Sequence, residues 1–141
     1  MSQFYAVITT IQKPTKSTKT LATFLAGNNN RILVVGDAKG PNDYSLGGTA
    51  FFSLESQLTS KFELARKMPI NHYSRKNFGY LHAIAKGAEC IYETDDDNHP
   101  LEDWKPKRFE TFARVIKNPG WINMDGVITT ISRLSFVSKR R

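Results

Sequence analysis

Tyr5-Ala6-Val7-Ile8-Thr9-Thr10-Ile11 and, further along, Arg31-Ile32-Leu33-Val34-Val35-Gly36-Asp37 decide the fold of this chain. Both runs are rich in β-branched residues and almost unbroken in hydrophobicity. That is the pattern of strands buried on both faces. Lys13-Pro14-Thr15 breaks the first strand. Ser17 or Thr18 then offers a cap for a short helix with Leu21, Ala22, Phe24 and Leu25 inward, stopped by Gly27-Asn28-Asn29-Asn30. Strand, helix and strand in so short a stretch make a βαβ unit.

The same alternation continues. Gly40-Pro41-Asn42-Asp43 is turn chemistry, and Thr49-Ala50-Phe51-Phe52-Ser53-Leu54 reads as a third strand. Ser56 to Lys67 reads as a helix limited by Pro69. Ser74 can cap a further helix beginning Arg75-Lys76-Asn77, with Phe78, Leu81, Ile84 and Ala85 as its apolar face and Gly87 at its end. Glu89 to Tyr92 is then a fourth strand. The expected class is α/β, a Rossmann-like, mostly parallel sheet flanked by helices. Ligands of such sheets sit beyond the carboxyl ends of the strands, where Thr9-Thr10, Gly36-Asp37 and Asp95 to Asp97 all fall.

Charge is unevenly distributed. The chain carries 20 Lys and Arg against 13 Asp and Glu, a net charge of +7. Yet the stretch from Glu89 to Asp103 holds Glu89, Glu93, Asp95, Asp96, Asp97, Glu102 and Asp103 and no base. Adjacent aspartates repel one another and call for a positive partner. Hard cations such as Mn²⁺ and Mg²⁺ prefer carboxylate oxygens and often take substrate phosphates as further ligands. One acidic site in a basic molecule suits an anionic ligand bridged to protein through such an ion, while the plainer reading is a solvated acidic turn. Arg75 and Lys76, in the first turn of a helix aimed at the same edge, would add positive potential. Asp37 can accept hydrogen bonds from a base or ribose, or cap the turn that follows it.

Other classes fit poorly. The bases are scattered apart from Lys139-Arg140-Arg141, and no zinc finger or RNP-like motif accompanies them, so a nucleic-acid partner is not expected. One cysteine, Cys90, excludes an intramolecular disulfide. Neither a signal peptide nor a membrane-length apolar run is legible, which makes a cytoplasmic chain the expectation. An EF-hand loop opening at Asp95 would put Pro100 and Pro106 at its Gly and Glu positions. His72, His82, His99 and Cys90 lack zinc spacing, and there is no P-loop or Gly-x-Ser-x-Gly.

Ser74-Arg75-Lys76-Asn77-Phe78-Gly79-Tyr80-Leu81, running through Ala85-Lys86-Gly87-Ala88 into Thr94-Asp95-Asp96-Asp97-Asn98, resembles the GT-A glycosyltransferase pattern of a helix followed by a strand bearing an Asp-x-Asp motif. With Thr9-Thr10, Val34-Val35-Gly36-Asp37, Lys39 and Asn71-His72 it resembles more closely the STELLO-like glycosyltransferases, over about residues 5 to 122. The resemblance implies a nucleotide-sugar donor as ligand. Thr9, Thr10 and Asp37, with Lys39, would line the nucleotide pocket. Arg75, Lys76 and Asn77 would approach ribose or phosphate. Asp95, Asp96 and Asp97 would hold Mn²⁺ or Mg²⁺. Trp121-Ile122-Asn123 keeps the pattern and Met124 to Arg141 departs from it, so the expected organisation is a GT-A-like donor-binding domain over 1–123 and a divergent segment over 124–141. The alternative is a non-catalytic scaffold of the same fold. A nucleotidyltransferase or phosphatase using these carboxylates would not come with this helix motif.

Overall fold

The computed structural model describes residues 4–27 and 31–105, together with the backbone of 121–124 and 127–130. Expectations for 106–120 (a basic loop, a strand or short helix, a turn) and for the end of the chain lie outside the described residues. The chain divides into two compact units, residues 1–107 and 108–141.

The first unit contains β1 (Phe4–Thr10), α1 (Lys16–Leu25), β2 (Arg31–Gly36), β3 (Thr49–Phe52), α2 (Leu54–Leu58), α3 (Glu63–Lys67), α4 (Lys76–Ala85) and β4 (Cys90–Asp95). The four strands form one parallel sheet in the order β3-β2-β1-β4. The α/β class with a Rossmann-like parallel sheet is therefore observed. In the second unit β5 (Trp121–Met124) pairs antiparallel with β6 (Val127–Thr130), and β5 spans the 123/124 position.

Alternation along β1 and β2 divides the core in two. Phe4, Ala6, Ile8, Ile32 and Val34 meet Leu21 and Leu25 of α1 on one face. Tyr5, Val7, Leu33 and Val35 meet Ala65, Met68, Phe78 and Ala83 on the other. Helices on both faces explain why the two strands carry so few polar residues. Among the described residues no helix is long and apolar enough to cross a membrane.

Local signals were correct in kind but displaced. Helix α1 is capped by Thr15 rather than Ser17 or Thr18, its hydroxyl accepting from the Thr18 N–H at 3.1 Å. Phe24 stays exposed, beside Trp104. The helix expected over Ser56 to Lys67 is two short helices, because Ser53 caps an earlier start and Thr59 closes α2. Met68, before Pro69, is extended, as the proline requires. Ser74 does not cap α4. A 3₁₀ turn over Tyr73–Arg75 precedes that helix, with His72 Nδ1 accepting from the Ser74 N–H.

The buried stripe of α4 is Lys76, Phe78, Gly79 and Ala83, whereas Ile84 is 62% exposed and Ala85 is exposed too. Gly79 is the reason. A β-carbon there would collide with Val7 Cγ1 and lie 3.1 Å from Val35 Cγ2. The helix packs on β1 and β2 through its bare glycine, which rotates Ile84 outward. Gly87, at φ +80°, ends the helix as the sequence predicts.

Candidate ligand site at the carboxyl ends of the strands

The chain runs outward from β1 to β2 and β3, then returns to place β4 on the other side of β1. The ends of β1 and β4 therefore flank a topological switch point, where open parallel sheets hold ligands. Register brings the motifs level: Thr9 stands opposite Asp95, and Thr10 opposite Gly36. A cavity of about 450 Å³ opens at this edge, lined by Thr9, Thr10, Ile11, Gln12, Asp37, Lys39, Asn71, His72, Tyr73 and Asp95 to Asp97. Its size is that of a small-molecule site. Thr9, Thr10, Asp37, Lys39 and the three aspartates, expected together from sequence, all line it.

The acidic loop is tied down from two sides. The buried Thr10 hydroxyl donates to Asp96 Oδ2 and accepts from the Gln12 N–H at 3.0 Å. From α1, the Thr15 hydroxyl donates to the Asp96 carbonyl, and Ser17 Oγ donates to the Asp97 carbonyl at 3.2 Å. The exposed Asp97 carboxylate makes no hydrogen bond or ion pair among the described residues.

Asp37 caps the turn that follows it and also holds a second segment of chain. Oδ1 accepts from the Ala38 N–H at 2.7 Å, which caps the turn, and from the Asn71 N–H at 2.9 Å. Oδ2 accepts from the His72 N–H at 3.1 Å. Asn71 has φ +54°, a left-handed conformation that costs a residue with a side chain free energy unless its surroundings impose it. Asp37 imposes it, and so sets the Asn71-His72-Tyr73 wall of the cavity. These residues were not assigned roles from sequence. The Asn71-His72 pair within the quoted motif was the available signal, and nothing pointed to Tyr73.

Arg75 requires a correction. It is 1% exposed and does not line the cavity. Nε and Nη2 donate to Gln57 Oε1 at 3.0 and 2.6 Å, and Nη1 donates to the carbonyls of Ala65 and Met68 at 2.7 and 3.2 Å. Gln57 in turn donates to the carbonyls of Gly36 and Phe52 at 2.7 and 2.9 Å. Arg75 thus pins α2 and α3 to the ends of β2 and β3 and has no donor group turned to a ligand. Burial lowers its pKa, against a smaller upward pull from Asp37. Asn77 is exposed on α4 and does not line the cavity.

Lys76 lies behind the aspartates. Only 2% exposed, its ammonium donates to Asp95 Oδ1 at 2.6 Å, Glu93 Oε1 at 3.2 Å and the Thr94 carbonyl at 3.3 Å. Burial alone would lower its pKa, but hydrogen bonds and charge from Asp95 and Glu93 outweigh that and raise it. Glu93 is held below the usual carboxylate range by hydrogen bonds from Tyr80 and then Lys76. Tyr80 is pushed above the usual phenol range, first by burial and then by Glu93.

Among the described residues, no three His, Cys, Asp or Glu side chains form a group that could hold a metal ion by themselves. The acidic loop nevertheless offers hard oxygen donors. Asp97 is free, and Asp95 has one oxygen paired with Lys76. Such a set fits Mg²⁺ or Mn²⁺ only with ligands from water or a bound phosphate, which is how these ions commonly bind.

Fold and site together define a Rossmann-like α/β domain with an acidic cleft at its switch point. No protein-family model matches the chain. Over 106 residues, 75% of its length, it is 30% identical to "Probable glycosyltransferase STELLO1" of Arabidopsis thaliana, and 28% identical to "Probable glycosyltransferase STELLO2" of Arabidopsis thaliana over the same share. It spans only 13% and 14% of the lengths of those two proteins. Over three quarters of its length the chain is similar to these two proteins, and the resemblance stated from its motifs is borne out.

Proposed function

We propose that this chain forms the donor-binding part of a glycosyltransferase, taking a nucleotide sugar at the switch point between β1 and β4. The observation carrying this reading is the convergence of Thr9-Thr10, Asp37 with Lys39, and Asp95 to Asp97 on one cavity at three adjacent strand ends. The similarity to two proteins named as glycosyltransferases supports the same class.

In this reading the nucleoside lies against Thr9, Thr10 and the wall that Asp37 holds. Lys39, exposed at the rim, meets phosphate. Asp95 and Asp97 hold Mn²⁺ or Mg²⁺, and Thr10 keeps Asp96 oriented beside them. Bound there, the ion would neutralise charge building on the departing nucleoside diphosphate. Loop positions are fixed before any ligand arrives, because Thr15, Ser17 and Thr10 anchor the acidic turn. Binding then costs little ordering entropy.

Calorimetric titration of UDP and GDP into the chain, with and without MnCl₂, tests the proposal. Binding of one nucleotide that strengthens at least tenfold with Mn²⁺ is expected. No binding of any nucleoside diphosphate under either condition would exclude the donor site.

A further inference from the structure

We propose that His72 is a ligand-binding residue of the cavity, its Nε2–H a fixed donor for an acceptor oxygen on the nucleoside half of the ligand. The inference rests on the donor-site reading above and assigns a residue and a polarity to its nucleoside side.

The backbone of His72 is held on both sides. Its N–H donates to Asp37 Oδ2 at 3.1 Å, and its carbonyl accepts from the Arg75 N–H at 3.0 Å. Arg75 is buried, so the turn that carries the imidazole is anchored in the core. The ring is held as well. Nδ1 accepts from the Ser74 backbone N–H at 3.1 Å and lies 2.9 Å from Ser74 Oγ. A backbone N–H only donates, so Nδ1 must present its lone pair. In the neutral imidazole the single proton then sits on Nε2, because the bond made by one ring nitrogen sets the state of the other.

Nε2–H has no partner among the described residues, and His72 lines the cavity. The neighbours of the ring say which part of the ligand it meets. The acidic loop lies at the end of β4, whereas His72 is tied to Asp37 at the end of β2. Beside it Tyr73 lines the same cavity, 72% exposed, with its ring 6.3 Å from the imidazole. An uncovered flat ring next to a single fixed donor suits a base or ribose, which joins apolar faces to a few carbonyl or hydroxyl oxygens. A nitrogen that only donates discriminates against an amino group, since the pair would be two donors facing each other.

Two measurements test the assignment. Long-range ¹H–¹⁵N spectra of the wild-type imidazoles in alkaline buffer, where histidine is neutral, read the tautomer without any variant. A protonated Nε2 and an unprotonated Nδ1 are expected at His72, with the Nε2 signal moving when UDP binds. Protonation on Nδ1, or an Nε2 signal unmoved by bound nucleotide, overturns the inference. Calorimetry in MnCl₂ then compares UDP, CDP, GDP and ADP on wild type and His72→Asn. Asparagine is a good cap whose side-chain oxygen can still accept from the Ser74 N–H, but it does not reach as far as Nε2. Affinity should fall about five- to tenfold, the worth of one hydrogen bond, at an unchanged melting temperature. A loss confined to UDP and GDP, whose bases carry a keto oxygen where cytosine and adenine carry an amino group, places the acceptor on the base. An equal loss for all four places it on the ribose. Unchanged affinity, or a loss that follows a fall in melting temperature, overturns the inference while leaving the donor site standing. No binding of any of the four to the wild type overturns both.

Discussion

Arg75→Leu destabilises the domain by about 3–9 kcal/mol, because three buried acceptors lose their donor at about 1–3 kcal/mol each. Those acceptors are Gln57 Oε1 and the carbonyls of Ala65 and Met68, and no water-facing route is open to them around a side chain that is 1% exposed. Domains of this size hold only about 5–15 kcal/mol in total, so the variant should sit close to its unfolding threshold. Urea unfolding followed by circular dichroism measures the loss. Arg75→Lys should recover only part of it, since one ammonium cannot reproduce the guanidinium fork. A loss under about 1 kcal/mol, the size of one ordinary hydrogen bond, would show that the network does not pin the helices. Function would fall with stability, because the same network holds Gly36, the residue before Asp37.

Asp97→Ala should do the opposite, leaving stability intact and removing binding. Its carboxylate is exposed and unpaired among the described residues, so the fold should change by no more than about 0.5 kcal/mol. In the proposed site it supplies the one carboxylate of the loop that is not already engaged. Nucleotide affinity in MnCl₂ should fall about 100-fold, or about 2.7 kcal/mol. Calorimetry of the variant against wild type reads the change, with thermal unfolding as the control. Unchanged affinity would remove Asp97 from the site. Together the two variants separate residues that build the cleft from residues that face its contents.

Different parts of this molecule were legible for different reasons. Strands β1 and β2 could be read directly because burial on both faces leaves a hydrophobic run that nothing else in the chain imitates. The site edge followed from them, since strand ends are where the sheet must present its polar residues. The face of α4 was misplaced because its packing depends on Gly79 meeting Val7, a contact between residues distant in sequence. Residues Ser56 to Lys67 carry a helical pattern throughout, but side-chain hydroxyls at Ser53, Thr59 and Ser60 cut it in two. Arg75 and Lys76 illustrate the limit most clearly. Side by side at the start of a helix, they look alike in sequence, yet one is fixed among carbonyls and the other among carboxylates. Their partners, Gln57 and Ala65 for one and Glu93 and Asp95 for the other, are chosen by tertiary packing that no local pattern encodes.

The most direct test of the account is paramagnetic line broadening in ¹H–¹⁵N spectra of the chain, with substoichiometric MnCl₂ added in the presence of UDP. The account predicts that amides of Thr10, Asp37 and Asp95 to Asp97 broaden first, while Glu102 and Asp103, acidic but outside the cavity lining, keep their signals. Broadening centred on Glu102 and Asp103, or spread evenly over all the acids, would contradict a site at the strand ends.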